Sequence, residues 1–166
     1  METEMNRNKT LQLANAGMIA ALYVVLTWIA NLLGLASGAI QVRLSEALTI
    51  LPVFTASAVP GLTVGCVLAN LLTGCAAWDV VFGSLPTLIG AVGTRLLKDK
   101  PLLAWIPPVV SNALIVPIIL IKVYGVPDAW WYLVLTVGAG EIIACGILGL
   151  LLWRALKNIP QIRNMK

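Results

Sequence analysis

Glu46, Asp79 and Glu141 lie in or beside strongly apolar sequence. An ionisable side chain near hydrocarbon is costly, and it is tolerated mainly where it faces a bundle interior, a cavity or a partner. Each of the three is therefore a candidate binding group. Other polar residues accompany them: Arg43 stands three positions before Glu46, Trp78 adjoins Asp79, Trp131 precedes Glu141 in one apolar run, and Asn70 and Asn112 sit inside apolar runs. Structural roles compete at every position. Arg43 and Glu46 are spaced to pair on one helix face, and Asp79 is placed to cap a helix. Glu141, Asn70 and Asn112 are placed to hydrogen-bond between helices. Trp130, Trp131 and Trp153 fit an interfacial aromatic belt.

None of this amounts to catalysis. The chain has no histidine and no phosphate-binding glycine loop, and Ser45 beside Glu46 has no base to activate it. Asp79 and Glu141 lack companions at metal-ligand spacing, so no catalytic residue, metal site or cofactor is expected. Cys66, Cys75 and Cys145 form no C-x-x-C pair and read as free thiols in apolar surroundings.

The elements that must hold these groups are transmembrane helices. Of 166 residues 60% are hydrophobic and only 11% charged, with mean hydropathy +0.94. Soluble domains carry about 25% charged residues. The apolar runs are continuous rather than alternating, which disfavours a membrane β-barrel. They extend along the whole chain, so a single transmembrane domain over 1–166 is expected, an all-α compact bundle. The first run follows a polar start and is long enough to span, unlike a cleaved signal.

Clear spans cover about 13–35, 80–97, 102–121 and 130–153. The uncharged stretch 47–78 is too long for one helix, and Pro52 and Pro60-Gly61 interrupt it. Basic residues decide the count. With two spans there, six in all, Arg7, Lys9, Arg95, Lys98, Lys100, Arg154, Lys157, Arg163 and Lys166 share one side, leaving Arg43 and Lys122 on the other. Six spans with both termini cytoplasmic follow, the second (about 42–57) being the weakest. The +4 net charge is then a matter of topology, not of nucleic-acid binding. This arrangement puts Arg43, Glu46, Trp78, Asp79 and Trp131 toward the outer face, with Asn31 and Asn70 in outer halves. Glu141 and Asn112 lie near mid-membrane. A pocket that opens outward and closes near the midplane would gather them. No inverted repeat of the transporter type is evident.

The first span also carries small residues four apart, Ala16/Ala20 and Gly17/Ala21. Such spacing lets helix backbones approach closely, inside the bundle or on a partner.

The segment Gln41-Val42-Arg43-Leu44-Ser45-Glu46-Ala47-Leu48-Thr49-Ile50-Leu51-Pro52 resembles the signature of the queuosine-precursor transporter family (QueT). Pro60-Gly61, Gly65-Cys66, Ala69-Asn70, the run Trp78–Leu85 with Thr87-Leu88, and Gly138–Glu141 extend the likeness over nearly the whole chain. Members of that family resemble the substrate-binding S components of energy-coupling factor transporters. The resemblance implies six helices in a bacterial plasma membrane and an outward-facing pocket. It implies as partners a transmembrane coupling subunit and two cytoplasmic ATPases. It places Ala16 and Ala20, with Gly17 and Ala21, against the coupling subunit, exposed rather than in the core. The implied ligands are queuine and related 7-deazaguanines. A guanine-like edge offers adjacent N–H donors that one carboxylate accepts, and an aminomethyl arm needs a second acid. Glu141 or Glu46 is then assigned to the ring edge and Asp79 to the amine. Asn112 or Arg43 meets the carbonyl, and a tryptophan lies against the ring. Alternatives are an S component for another vitamin or aromatic amine, a membrane-embedded enzyme, and an assembly protein that would leave the buried acids unexplained.

Overall fold

The computed structural model describes residues 2–35 and 40–160, with side-chain surroundings defined from Asn6 onward. Among them the secondary structure is helical throughout: α1 (Glu2–Leu32), a 3-10 helix (Leu44–Val53), α2 (Ala58–Leu72), α3 (Ala77–Phe82), α4 (Ser84–Leu96), α5 (Ile106–Lys122), α6 (Trp130–Glu141), a π-helical segment (Ile142–Leu148) and α7 (Gly149–Leu156). α3 and α4 form one apolar rod, as do α6, the π segment and α7. With α1 these make three long apolar helical stretches, Asn6–Leu32, Ala77–Leu96 and Trp130–Leu156. Leu44–Val53, Ala58–Leu72 and Ile106–Lys122 supply three shorter ones. This is the six-helix membrane bundle expected from the hydropathy pattern.

The second span differs in kind from the expectation. Only Leu44–Val53 is helical there, and it winds as a 3-10 helix. At about 2.0 Å rise per residue, ten residues reach about 20 Å, short of a core about 30 Å thick. Runs of this winding beyond three or four residues are uncommon. Here neighbours on all sides support it. Ser45, Glu46, Leu48, Thr49, Ile50, Pro52 and Val53 are all buried, packed among α1, α4, α7 and the π segment. The element is therefore the inner post of the bundle rather than a lipid-facing span. Arg95 at the end of α4 donates to the Pro52 carbonyl at 3.0 Å and holds its far end.

Glycines set the helix spacing. A Cβ on Gly61 would stand 2.8 Å from the Ala16 carbonyl oxygen, and one on Gly65 3.0 Å from Ala20 Cα. The Ala16/Ala20 pair of α1 is thus seated against the Gly61/Gly65 pair of α2, a small-xxx-small contact within the bundle. The expectation that Ala16 and Ala20 are exposed is corrected: Ala20 is 6% exposed and Ala16 half-buried. Spacing alone could not choose the partner helix. Gly17 and Ala21, on the neighbouring stripe, are exposed. Gly90 of α4 meets Pro108 of α5 in the same manner, 2.6 Å from a notional Cβ.

Candidate functional site

α1 presents Ala16, Ala20, Tyr23, Thr27 and Ala30 at steps of four, three, four and three residues, a single helical face. The lower part of that stripe packs on α2. The upper part meets the 3-10 helix, where the polar groups begin. The Tyr23 hydroxyl donates to Glu46 Oε1. Thr27 Oγ1 donates to Ser45 Oγ at 2.9 Å. Thr49 Oγ1 lies 2.6 Å from the Glu46 carbonyl one turn back.

From the opposite side the third rod brings Glu141 and, one turn on, Cys145. The Cys145 thiol is 3.2 Å from Glu141 Oε2, 3.5 Å from the Glu46 carbonyl oxygen and 3.4 Å from Thr49 Oγ1. One ligating atom each from Glu46, Glu141 and Cys145 lie within 4.8 Å of one another. Glu46 is fully buried and Glu141 is 5% exposed. Glu46 Oε2 has no hydrogen-bond partner, alone among the fully buried side-chain oxygen and nitrogen atoms of the described residues. A desolvated carboxylate oxygen with nothing to accept is costly. An unpartnered acceptor on a carboxylate that has a second carboxylate close by suits a ligand bearing paired N–H donors or a cation.

Above this node lie two small cavities, toward the end of the bundle where α1, α2 and α5 terminate. One, about 220 Å³, is lined by Thr27, Ala30, Asn31, Gln41, Arg43, Asn70, Thr73 and Cys75. The other, about 210 Å³, is lined by Gln41, Leu120, Val126, Asp128, Tyr132, Leu133, Thr136 and Val137. Gln41 is common to both. Its backbone carbonyl packs so tightly on Gly140 that no side chain fits there, which seats the strand of chain leading into Arg43 directly on α6.

Asp79 is held apart from the Glu46–Glu141 pair in a separate arrangement. It lies in the first turn of α3 but is not the N-cap, which is Ala76 without a side-chain bond. Instead Asp79 Oδ2 accepts from the Tyr124 hydroxyl at 2.7 Å, and Tyr124 Oη accepts from the Ala76 amide at 3.3 Å. Partial burial and the Asp79 carboxylate push the Tyr124 hydroxyl well above the ordinary tyrosine range, so it remains a donor. Asn70 Nδ2 reaches the Asp79 carbonyl and Ser84 Oγ, both at 3.5 Å, linking α2 with α3 and α4 at the cavity wall.

The remaining candidates fall elsewhere. No ion pair joins Arg43 to Glu46 among the described residues; Arg43 precedes the 3-10 helix and lines the first cavity. Asn112 is buried, and its amide donates to the Pro108 carbonyl of its own helix at 3.1 Å. Trp78 and Trp131 are 66% and 64% exposed, Trp78 stacking on Phe82 and Trp131 edge-on to Tyr132. Sequence reasoning missed Tyr23, Thr49 and Cys145. Tyr23 was legible as the polar tip on the inward stripe of α1, and Cys145 as the residue four after Glu141. Thr49 gave no signal.

The family described as QueT transporter matches residues 13–158. The queuosine precursor transporter QueT of Lactococcus lactis subsp. cremoris is 36% identical over 97 residues, 58% of this chain and 56% of that protein. The match thus spans little more than half the length of that relative. No solved structure matches.

Proposed function

The chain belongs to the QueT transporter family, and from that membership we propose that it is the substrate-binding membrane subunit of an ATP-driven importer, taking up queuine or a related 7-deazaguanine. The observation that supports this reading best is the buried Glu46–Glu141 pair beneath two cavities, with Glu46 Oε2 unpartnered. A guanine-like edge carries adjacent N–H donors that would satisfy that oxygen and its neighbour. Asp79, nearer the cavity rim through Asn70, then serves a cationic arm of the ligand, and Arg43 faces the ring carbonyl. The name of the lactococcal relative points to the same substrate class.

Among the sequence motifs there is no phosphate-binding loop, so the reading assigns ATP hydrolysis to partner subunits. The exposed Gly17 and Ala21 and a groove lined by Lys9, Gln12, Leu13, Ala16, Ala56, Ser57 and Pro60 offer a coupling subunit a close approach to α1. On this reading both termini lie in the cytoplasm, the orientation that the distribution of basic residues supports. External labelling of Lys98→Cys in intact cells would refute that orientation.

Purification from cells supplied with the precursors, followed by mass spectrometry of the released ligand, tests the substrate assignment. Recovery of a 7-deazaguanine supports it. Recovery of a different vitamin or amine would replace the substrate while keeping the transport role.

A further inference from the structure

The π-helical winding of Ile142–Leu148 and the loop before α5 create a groove that the substrate reading does not use. It measures about 380 Å³ and faces outward from the bundle, within the roughly 300–1,000 Å³ typical of small-molecule sites. Ile142, Ile147 and Leu150 form apolar walls, and Gly146 makes the floor. Trp105 closes one side: a Cβ on Gly146 would stand 3.5 Å from its ring. The indole is fixed there because its N–H donates to the Leu102 carbonyl at 2.9 Å. The one charge in the lining is Arg154.

Arg154 lies a turn and more beyond the apolar floor, at the end of the bundle where the basic residues gather. No acidic residue follows Glu141 in the sequence. Its neighbour Lys157 is engaged differently, with Nζ 4.8 Å over the Trp153 ring. An apolar slot with one guanidinium at its membrane-surface end, joined in no ion pair among the described residues, is complementary to an amphiphile with a hydrocarbon chain and an anionic head. Arginine forks onto phosphate oxygens with two parallel N–H bonds, and basic pockets between membrane helices hold anionic headgroups.

We propose that this groove is a binding site for an anionic phospholipid of the adjacent leaflet, with the phosphate on Arg154 and an acyl chain over Gly146 beside Trp105.

The test is native mass spectrometry of the purified, delipidated full chain titrated with phosphatidylglycerol or with phosphatidylcholine of the same acyl chains. The parent is expected to retain phosphatidylglycerol about fivefold more tightly, the scale of one basic residue near a membrane surface. Arg154→Gln should abolish that preference, whereas Lys98→Gln, an exposed base on the same side, should keep it. Gly146→Leu should reduce retention of both lipids by filling the slot. Equal retention of the two lipids by the parent overturns the proposal. So does an unchanged preference in Arg154→Gln, or an equal loss in Lys98→Gln, which would mark diffuse surface charge. Undiminished phosphatidylglycerol binding by Gly146→Leu would overturn the groove as its location.

Discussion

Tyr23 of α1 and Glu46 of the 3-10 helix are joined by a buried hydrogen bond, the tyrosine hydroxyl donating to Oε1. Both side chains are almost wholly excluded from solvent, at 1% and 0% exposure. The bond satisfies Oε1 internally and leaves Oε2 without a partner, in a carboxylate that has one oxygen within 4.8 Å of one of Glu141. One residue thus serves as a fold contact with one oxygen and as a candidate ligand acceptor with the other.

Tyr23→Phe should therefore lower both stability and ligand affinity. Leaving a buried acceptor without its donor costs about 1–3 kcal/mol. Thermal unfolding of the purified chain, with and without ligand, measures this. An unchanged midpoint together with unchanged affinity would show that Tyr23 neither braces nor aims Glu46.

Neutralising the acids should separate their roles. Each lost charge-assisted contact is expected to cost roughly 1.5–3 kcal/mol, about ten- to a hundredfold in affinity. Glu46→Gln and Glu141→Gln should weaken an aminomethyl and a cyano 7-deazaguanine alike. Asp79→Asn should weaken chiefly the aminomethyl form. Calorimetry on the three variants with both ligands reads the pattern. Parent-like binding by all of them would make the carboxylates purely structural.

The two small-residue stripes on α1 should respond differently to bulk. Ala20→Leu drives a side chain into the Gly65 contact, where overpacking costs about 1–3 kcal/mol; it should lower the unfolding midpoint and impair binding and uptake together. Gly17→Leu, on the exposed stripe, should leave binding intact and block uptake if that face meets a partner. Uptake at the parent rate in Gly17→Leu moves the interface off this stripe.

The Tyr124–Asp79 bond ties the start of α3 to the loop after α5. Tyr124→Phe should loosen that tie and speed ligand exchange, seen as a faster off-rate. The pH sign follows from the raised hydroxyl. Unfolded tyrosine loses its proton near pH 10, before the folded residue does, so the contribution is complete below that value and is lost as pH rises through the folded one. The parent's stability should therefore fall under alkaline conditions more than that of the variant. Identical alkaline profiles would show that the bond is not retained in solution.

Hydropathy and the distribution of basic residues determined the all-helical membrane bundle, its six apolar segments and the isolation of Glu46, Asp79 and Glu141 in apolar sequence. Those are one-dimensional properties: a run of apolar residues must be buried in lipid or protein wherever it folds, and a carboxylate within it stands out before any contact is known. The winding of the second segment was not legible, because a 3-10 helix of that length depends on neighbours packed around it rather than on its own propensity. Nor was the pairing of Glu46 with Glu141, which are separated by most of the chain and meet where Tyr23, Thr49 and Cys145 tie the 3-10 helix to α1 and to the third rod. Spacing identified Ala16 and Ala20 as a contact, but the tertiary structure decided that Gly61 and Gly65 receive it, since a small-residue stripe specifies how closely a backbone can approach and not which backbone arrives. The separation of Asp79 has the same origin: Tyr124 reaches it from a loop forty-five residues away, a distance that only the folded chain closes.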